Sequence, residues 1–498
     1  MTEYLLNTLT IIHFLAISGL ALYGVHRIWM IIGWLRSRSA PSRTCPGGLP
    51  PVLPRVTVQI PLYNEPRVAR RIIDAVAAFD WPTDRLEIQV LDDSTDNTRI
   101  TVDQAAAVWA GQGRPITVIR RTKRSGYKAG ALANGLTQAR GEFIAVFDAD
   151  FVPNPDFLVK TMPHFNDPGV GMVQTKWTFF NAGSSWLTRL QSLLLSAHFN
   201  VEHEVRFARN LFFNFNGTAG VWRKTAITSA GGWSSDTVTE DLDLSYRAQM
   251  AGWQFIYLND VASPSELPAT MSDYRRQQER WGKGAIQTAR KLLPRLLSSS
   301  LPLPVKIEAA AHLLSNLCWV FGFLATVTLY PVLLNRIGIG PYQILWIDLP
   351  MFCLTGVIVL VFYSVFGWKS GQWEALLTLP FLPAASIGLA PFFALAVMKG
   401  LFQRGGEFKR TPKSGVRDNI PMKQRSTRLH SDVTVSLLMN LPLLVYTLVP
   451  LSFAWQRGTW PAVPFLCLFP LGFCLILSHD LRHLLDVMTG RCGRWGEP

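Results

Sequence analysis

The sequence predicts a soluble α/β domain with a largely parallel sheet, held between membrane-spanning helices. Three observations predict it. Between residues 56 and 166, short β-rich runs alternate with helical stretches, the pattern of stacked βα units. On both sides of that domain lie apolar runs long enough to cross a bilayer core of about 30 Å. The whole chain of 498 residues is 49% hydrophobic and only 16% charged, where a soluble domain carries roughly one quarter charged residues.

Residues 1–36 form the first element, an N-terminal membrane helix. The apolar sequence from 4 to 35 is nearly unbroken, with Trp29 and Trp34 near one end and Arg36, Arg38 and Arg43 just beyond it. That basic flank predicts a cytoplasmic C-terminal end. Glu3 stands where a secretory signal would be basic, and the apolar run is too long for one. Arg27, inside the run, is expected to snorkel. Residues 37–54, rich in Pro and Gly, read as a linker.

From residue 55 to 300 the composition is that of a soluble domain. The expected strand and helix pairs are 56–60 with 65–79, 86–92 with 97–111, 116–121 with 128–139, and 143–148 with 155–166. In open sheets of this kind ligands bind beyond the carboxyl ends of the strands. Acidic clusters follow the strands 86–92 and 143–148, and therefore fall where a ligand would bind. From 301 to 485 the chain is again apolar, with runs near 308–334, 344–367, 375–400, 433–455 and 460–479. The connection 399–428 carries nine basic and two acidic residues, which predicts that it is cytoplasmic. A full crossing by 375–400, which contains Pro380, Pro383 and Pro391, would strand that loop outside. That run is therefore expected to be re-entrant or interfacial, giving about five spans, with six as the competing count. Residues 486–498 read as a cytoplasmic tail.

Formal net charge is +14, which raises nucleic acid as a partner. The distribution of that charge argues against it. Residues 46–300 hold 28 basic and 24 acidic side chains, a net +4, so the other +10 lies beside the apolar runs as a topology signal. No nucleic-acid partner is expected. None of the six cysteines falls in the soluble domain proper, so neither a disulfide nor a Cys-ligated zinc can be built there.

The chemistry-bearing residues come in short groups. Asp92 and Asp93 close one strand, and Asp148-Ala149-Asp150 follows another. Oxygen ligands at that spacing suit Mg²⁺ or Mn²⁺ bound together with a diphosphate. Asp96 and Asp156 read as turn or cap residues. The basic, Gly-containing run from Lys123 to Ala131 enters a helix, a start that favours anions, yet it lacks the phosphate-loop pattern of an ATPase. Asp241, after Thr239 and Glu240, is either a helix cap or a general base. His198 and His203 have no metal-ligand spacing and read as packing or surface residues.

Taken in order, these groups resemble the processive, inverting glycosyltransferases of family 2, the cellulose synthase superfamily. The resemblance rests on Asp92/Asp93, Asp148/Asp150, Thr239-Glu240-Asp241 and Gln277/Arg280/Trp281. Gln59-Ile60-Pro61-Leu62-Tyr63-Asn64-Glu65, Gly126–Gly130, Phe215–Arg223 and Glu266-Leu267-Pro268 look like the cellulose-synthase-like β-mannan, glucomannan and glucan synthases. The stretch Glu407–Lys413 is similar to the gating loop of such synthases, here within 399–432.

The resemblance implies a cytoplasmic GT-A (Rossmann-like) domain in the plasma (inner) membrane, with interfacial helices at its C-terminal end. It implies transfer of hexosyl units from UDP-glucose or GDP-mannose to a growing β-linked glycan, compatible with export partners. Asp148 and Asp150 would hold the metal. Tyr63, Glu65, Asp92, Asp93, Lys128, Asp148, Gln277 and Arg280 would bind the donor. Asp241, beside Glu240, would be the base. Trp281, Gly217 and Thr218 would meet the acceptor, although Trp281 also reads as an interfacial anchor. A glycolipid-forming transferase uses the same residues. A transporter is disfavoured because the spans hold few charged residues, and an inactive scaffold because the motif residues are present.

Overall fold

In the computed structural model of the chain, the described residues are 3–37, 47–335, 346, 349–407, 413, 415, 431–458 and 460–489. The Phe408–Pro412 part of the gating-like loop, most of its remainder to 430 and the tail from 490 lie outside them, as do Cys45 and Cys492.

The soluble domain follows the expected alternation closely. Helix α1 (Glu3–Ser37) precedes strand β1 (Val56–Leu62), α2 (Ala69–Ala77), β2 (Leu86–Asp92), α3 (Thr98–Gly111), β3 (Ile116–Ile119), α4 (Tyr127–Gln138), β4 (Phe143–Val146) and α5 (Phe157–Thr161). Then come β5 (Val170–Phe179), α6 (Trp186–Ala197), a π-helical turn (His198–His203), α7 (Glu204–Ala208), β6 (Gly220–Arg223), α8 (Lys224–Ser229), α9 (Glu240–Met250), β7 (Gln254–Ser265) and α10 (Met271–Ser298).

The sheet order is β3-β2-β1-β4-β6-β5-β7. Its first half is parallel, and β1 is buried along nearly its whole length, as a strand covered by helices on both faces must be. Strand β6 runs antiparallel to both β4 and β5, so the sheet is mixed. That reversal matters for the site. It pairs Gly220, at the start of β6, with Val146, at the end of β4, and brings the loop before β6 to the carboxyl edge of the parallel strands.

Beyond α10 lie α11 (Leu303–Leu314) and α12 (Leu317–Asn335). Six helices among the described residues are long and apolar enough to cross a membrane: α1, α12, Pro350–Lys369, Phe381–Phe402, Ser431–Gln456 and Val463–Leu485. The fourth corrects one expectation. Residues 381–402 form one continuous helix rather than a broken, re-entrant stretch. Pro383 falls in the first turn, where a missing N–H costs nothing, and the helix continues through Pro391.

Its two ends lie against helices that flank the sheet. Phe381 packs at a tilt near Trp186 of α6, and at the other end Arg290 of α10 donates to the carbonyls of Leu401 and Gln403. Both ends thus lie against the soluble domain. The helix is also the most enclosed of the six, with 67% of its apolar window buried against 11% for α1.

Arg27 corrects another expectation. It does not snorkel: it is buried, ion-paired with Glu202 and packed over the Tyr23 ring. A second buried pair ties the soluble domain to the last helix. Arg275 of α10 donates to both carboxylate oxygens of Asp480, which also accepts from Ser436 at 2.6 Å. Removing one partner of such a pair strands a buried charge. Asp480→Ala is expected to destabilise the protein by about 3–5 kcal/mol, measured as thermal unfolding in detergent, whereas Ser436→Ala leaves the pair itself in place and costs far less.

Candidate active site

The parallel strands end on one edge, and the site is built from the segments just beyond them. Leu62 of β1 pairs with Asp92 of β2, and the Phe147 amide donates to the Gln59 carbonyl, so the chain leaves β1, β2 and β4 side by side. Two adjoining chambers open there, of about 630 and 650 Å³. They share Lys128, Asp148, Asp150, Arg280 and Lys413.

One chamber is lined by Tyr63, Glu65, Asp93 and Arg124 together with the shared residues. The Arg124 guanidinium lies 3.4 Å from the centre of the Tyr63 ring, so it is not simply a solvated loop residue. Asp93 is bound by Arg121, which also donates to the Tyr127 carbonyl and so braces the start of α4. Asp92 is not brought to the chamber. It is fully buried, pairs with Arg120 at 2.8 Å and accepts from the Ser94 amide. Asp96 is a turn residue that accepts from the Thr98 amide.

The other chamber contains Gly217, Glu240, Asp241, Gln277, Arg280 and Trp281. Gln277, Arg280 and Trp281 stand at i, i+3 and i+4 on α10 and so share one helix face. Helix α10 can lie against the start of α9 because residue 284 is Gly: a Cβ there would come within 2.4 Å of Thr239. Gly217 has φ +83°, and a Cβ on it would stand 2.8 Å from Asp241 Oδ2. Thr218 does not line the chamber but holds its wall, its hydroxyl accepting from the Asp148 amide at 2.9 Å.

Charge is concentrated where the chambers meet. Lys128 Nζ is 2.6 Å from Asp148 Oδ1, 3.8 Å from Glu240 and donates to the Gly217 carbonyl at 2.8 Å. Burial alone would lower its pKa, but the Asp148 and Glu240 carboxylates outweigh that and hold it above the usual lysine range. Lys413 reaches Asp150 at 2.7 Å, with the same balance of burial against a carboxylate. Loss of hydration, and then the neighbouring Glu240, push Asp241 up to about 7.

The donor set suits a divalent cation that also takes phosphate oxygens. No group of three or more His, Cys, Asp or Glu that could hold a metal by itself occurs among the described residues. Asp148 and Asp150 supply two hard oxygen ligands, and both have drawn ammonium groups onto themselves.

Among the lining residues that were not candidates from sequence are Glu266 and Lys413. Glu266 pairs with Arg71 and accepts from the Gly415 amide. Lys413 lies 263 residues from its partner Asp150. Only the match of Glu266-Leu267-Pro268 and Glu407–Lys413 to family segments could have pointed to them.

A mixed sheet of this order, with a carboxylate-lined double chamber at its carboxyl edge, has a GT-A-like arrangement. Residues 54–284 match the profile described as "Glycosyltransferase like family 2".

Among curated relatives, a probable glucomannan 4-beta-mannosyltransferase 1 from Arabidopsis thaliana is 47% identical over 244 residues, covering 48% of this chain and 44% of the relative. A probable glucomannan 4-beta-mannosyltransferase 2 from Oryza sativa subsp. japonica is 42% identical over 292 residues, covering 58% and 50%. The chain thus spans about half the length of these relatives. The fold is also that of a mannosyltransferase from Pyrobaculum calidifontis solved with GDP-Man and Mn2+ (TM-score 0.53, 21% identity, 79% of this chain and 99% of that one).

Proposed function

We propose that this chain is a membrane-embedded inverting hexosyltransferase that extends a β-linked polysaccharide from a nucleotide sugar. The observation that carries the reading is the meeting of two chambers at Asp148, Asp150, Lys128, Arg280 and Lys413, with Asp241 on one side only. The nucleotide occupies the chamber of Tyr63, Glu65 and Asp93. The sugar and the acceptor occupy the chamber of Asp241, Gln277 and Trp281. The names of the plant relatives favour mannosyl transfer, hence GDP-mannose over UDP-glucose as donor.

Inversion is a single displacement and needs a base on the acceptor hydroxyl. Asp241 is that base, and its raised pKa keeps it able to take a proton near neutrality. Lys128 and Arg280 offset charge on the departing diphosphate, and Trp281 offers a flat apolar face to an acceptor sugar. Asp148 and Asp150 would hold Mg²⁺ or Mn²⁺, which when bound supplies Lewis-acid stabilisation of the leaving group. The basic connection after Phe402 and the flank of α1 support a cytoplasmic domain at the plasma (inner) membrane, where export of the polymer would begin.

Nucleotide binding tests the first half of the reading. Titration of the detergent-solubilised chain with GDP and with UDP in Mn²⁺ is expected to show tight binding of one, weakened at least tenfold by Lys128→Met. Binding of neither nucleotide overturns it.

A further inference from the structure

Asn216 lines the acceptor chamber beside Gly217, and its amide is held at both ends. His203 Nε2 meets its Oδ1 at 2.6 Å, and its Nδ2 meets His198 Nε2 at 3.2 Å. Those two histidines are five residues apart and share a face because residues 198–203 form a π-helical turn, with ring centroids 4.4 Å apart. An α-helix would turn them well away from each other.

The proton pattern runs one way. The His203 Nε2–H donates to the Asn216 oxygen, and the Asn216 N–H donates to His198 Nε2. His198 then carries its proton on Nδ1 and donates to Glu202 Oε2 at 3.2 Å. The other Glu202 oxygen accepts from Arg27 of the membrane helix α1. Arg206 balances the cluster through Glu202 at 3.4 Å and Glu308 at 2.8 Å, and His26 of α1 meets Glu308 at 2.9 Å. Each link is satisfied with one orientation of the Asn216 amide, which leaves its second N–H for the chamber.

We propose that Arg27 is a positioning residue for the acceptor: through Glu202 and His198 the first membrane helix fixes the amide that Asn216 presents to the acceptor sugar. The inference rests on the transferase reading above. It joins the helix anchored in the bilayer to the acceptor side of the cleft, while the nucleotide chamber contains none of these residues.

The test uses the full chain in lipid vesicles with a short β-linked manno-oligosaccharide as primer. Three variants interrupt different links: Asn216→Ala at the end, His198→Phe in the middle, and Arg27→Met with Glu202→Gln at the start, a pair that removes both buried charges together. Each is expected to raise the primer KM about tenfold, the worth of one hydrogen bond to a polar ligand. Nucleotide affinity stays within about twofold and kcat within about threefold. Arg27→Lys, which keeps the charge, restores most of the primer affinity.

Unchanged primer KM in His198→Phe alongside an effect of Asn216→Ala overturns the relay. So does an equal loss of nucleotide and primer affinity, which is the signature of a general structural defect. If the paired variant fails to insert, His198→Phe decides alone. A wild-type chain that transfers no sugar refutes the transferase reading instead, and is recognised before any variant is compared.

Discussion

Asp241→Asn is expected to lower kcat by about 10²–10⁴ while nucleotide affinity stays within about twofold, because it removes the proposed base and leaves the proposed donor contacts in place. The pH profile sharpens the expectation. A carboxyl held at about 7 keeps its proton in mild acid, so the wild-type rate should rise with pH through about 7 and fall below it. The residual activity of the Asn variant should lose that limb. A donor-binding defect with turnover preserved would assign Asp241 to the nucleotide instead. Gly217 explains why the carboxylate can sit where it does, since any side chain at 217 would press on Asp241 Oδ2.

Asp150→Asn is expected to reduce kcat/KM on the order of 10²–10³-fold and to raise the Mn²⁺ concentration giving half-maximal rate, by removing one of the two carboxylates proposed to hold the metal. It also leaves the buried Lys413 ammonium without its carboxylate. Asp92→Asn is the informative contrast. Asp92 is buried against Arg120, so its loss should lower thermal stability without shifting the metal requirement. A metal requirement that moves equally in both variants would contradict the division between them.

The same pair of aspartates shows where the sequence was legible and where it was not. An apolar run followed by Asp148 and Asp150 marks a strand end with two carboxylates, and Gln277, Arg280 and Trp281 mark one helix face. Asp92 is the last residue of β2 and Asp93 the first beyond it, and successive residues of an extended chain point opposite ways. One is therefore structural and the other lines the cleft, which the spacing alone does not reveal. Gly217 and Asn216 reach the site because β6 runs against β4, a pairing that periodicity does not encode.

Long-range partners were hidden for a similar reason. Arg27 in an apolar helix reads as a snorkelling side chain until Glu202, 175 residues away, is seen to meet it. His198 and His203 look unrelated at a spacing of five until a π-turn aligns them. The proline-rich run from 375 to 400 carried helix-breaking residues, but only burial against α10 and its neighbours reveals that the helix survives them.

Two chambers meeting at Asp148 and Asp150 are proposed to build a polymer rather than a single glycosidic bond. The most direct test incubates the vesicle-reconstituted chain with radiolabelled GDP-mannose or UDP-glucose and measures product length. A metal-dependent, water-insoluble polymer that endo-β-mannanase or endo-β-glucanase degrades is the expected result. A product that extracts into organic solvent as a lipid carrying one hexose would contradict it.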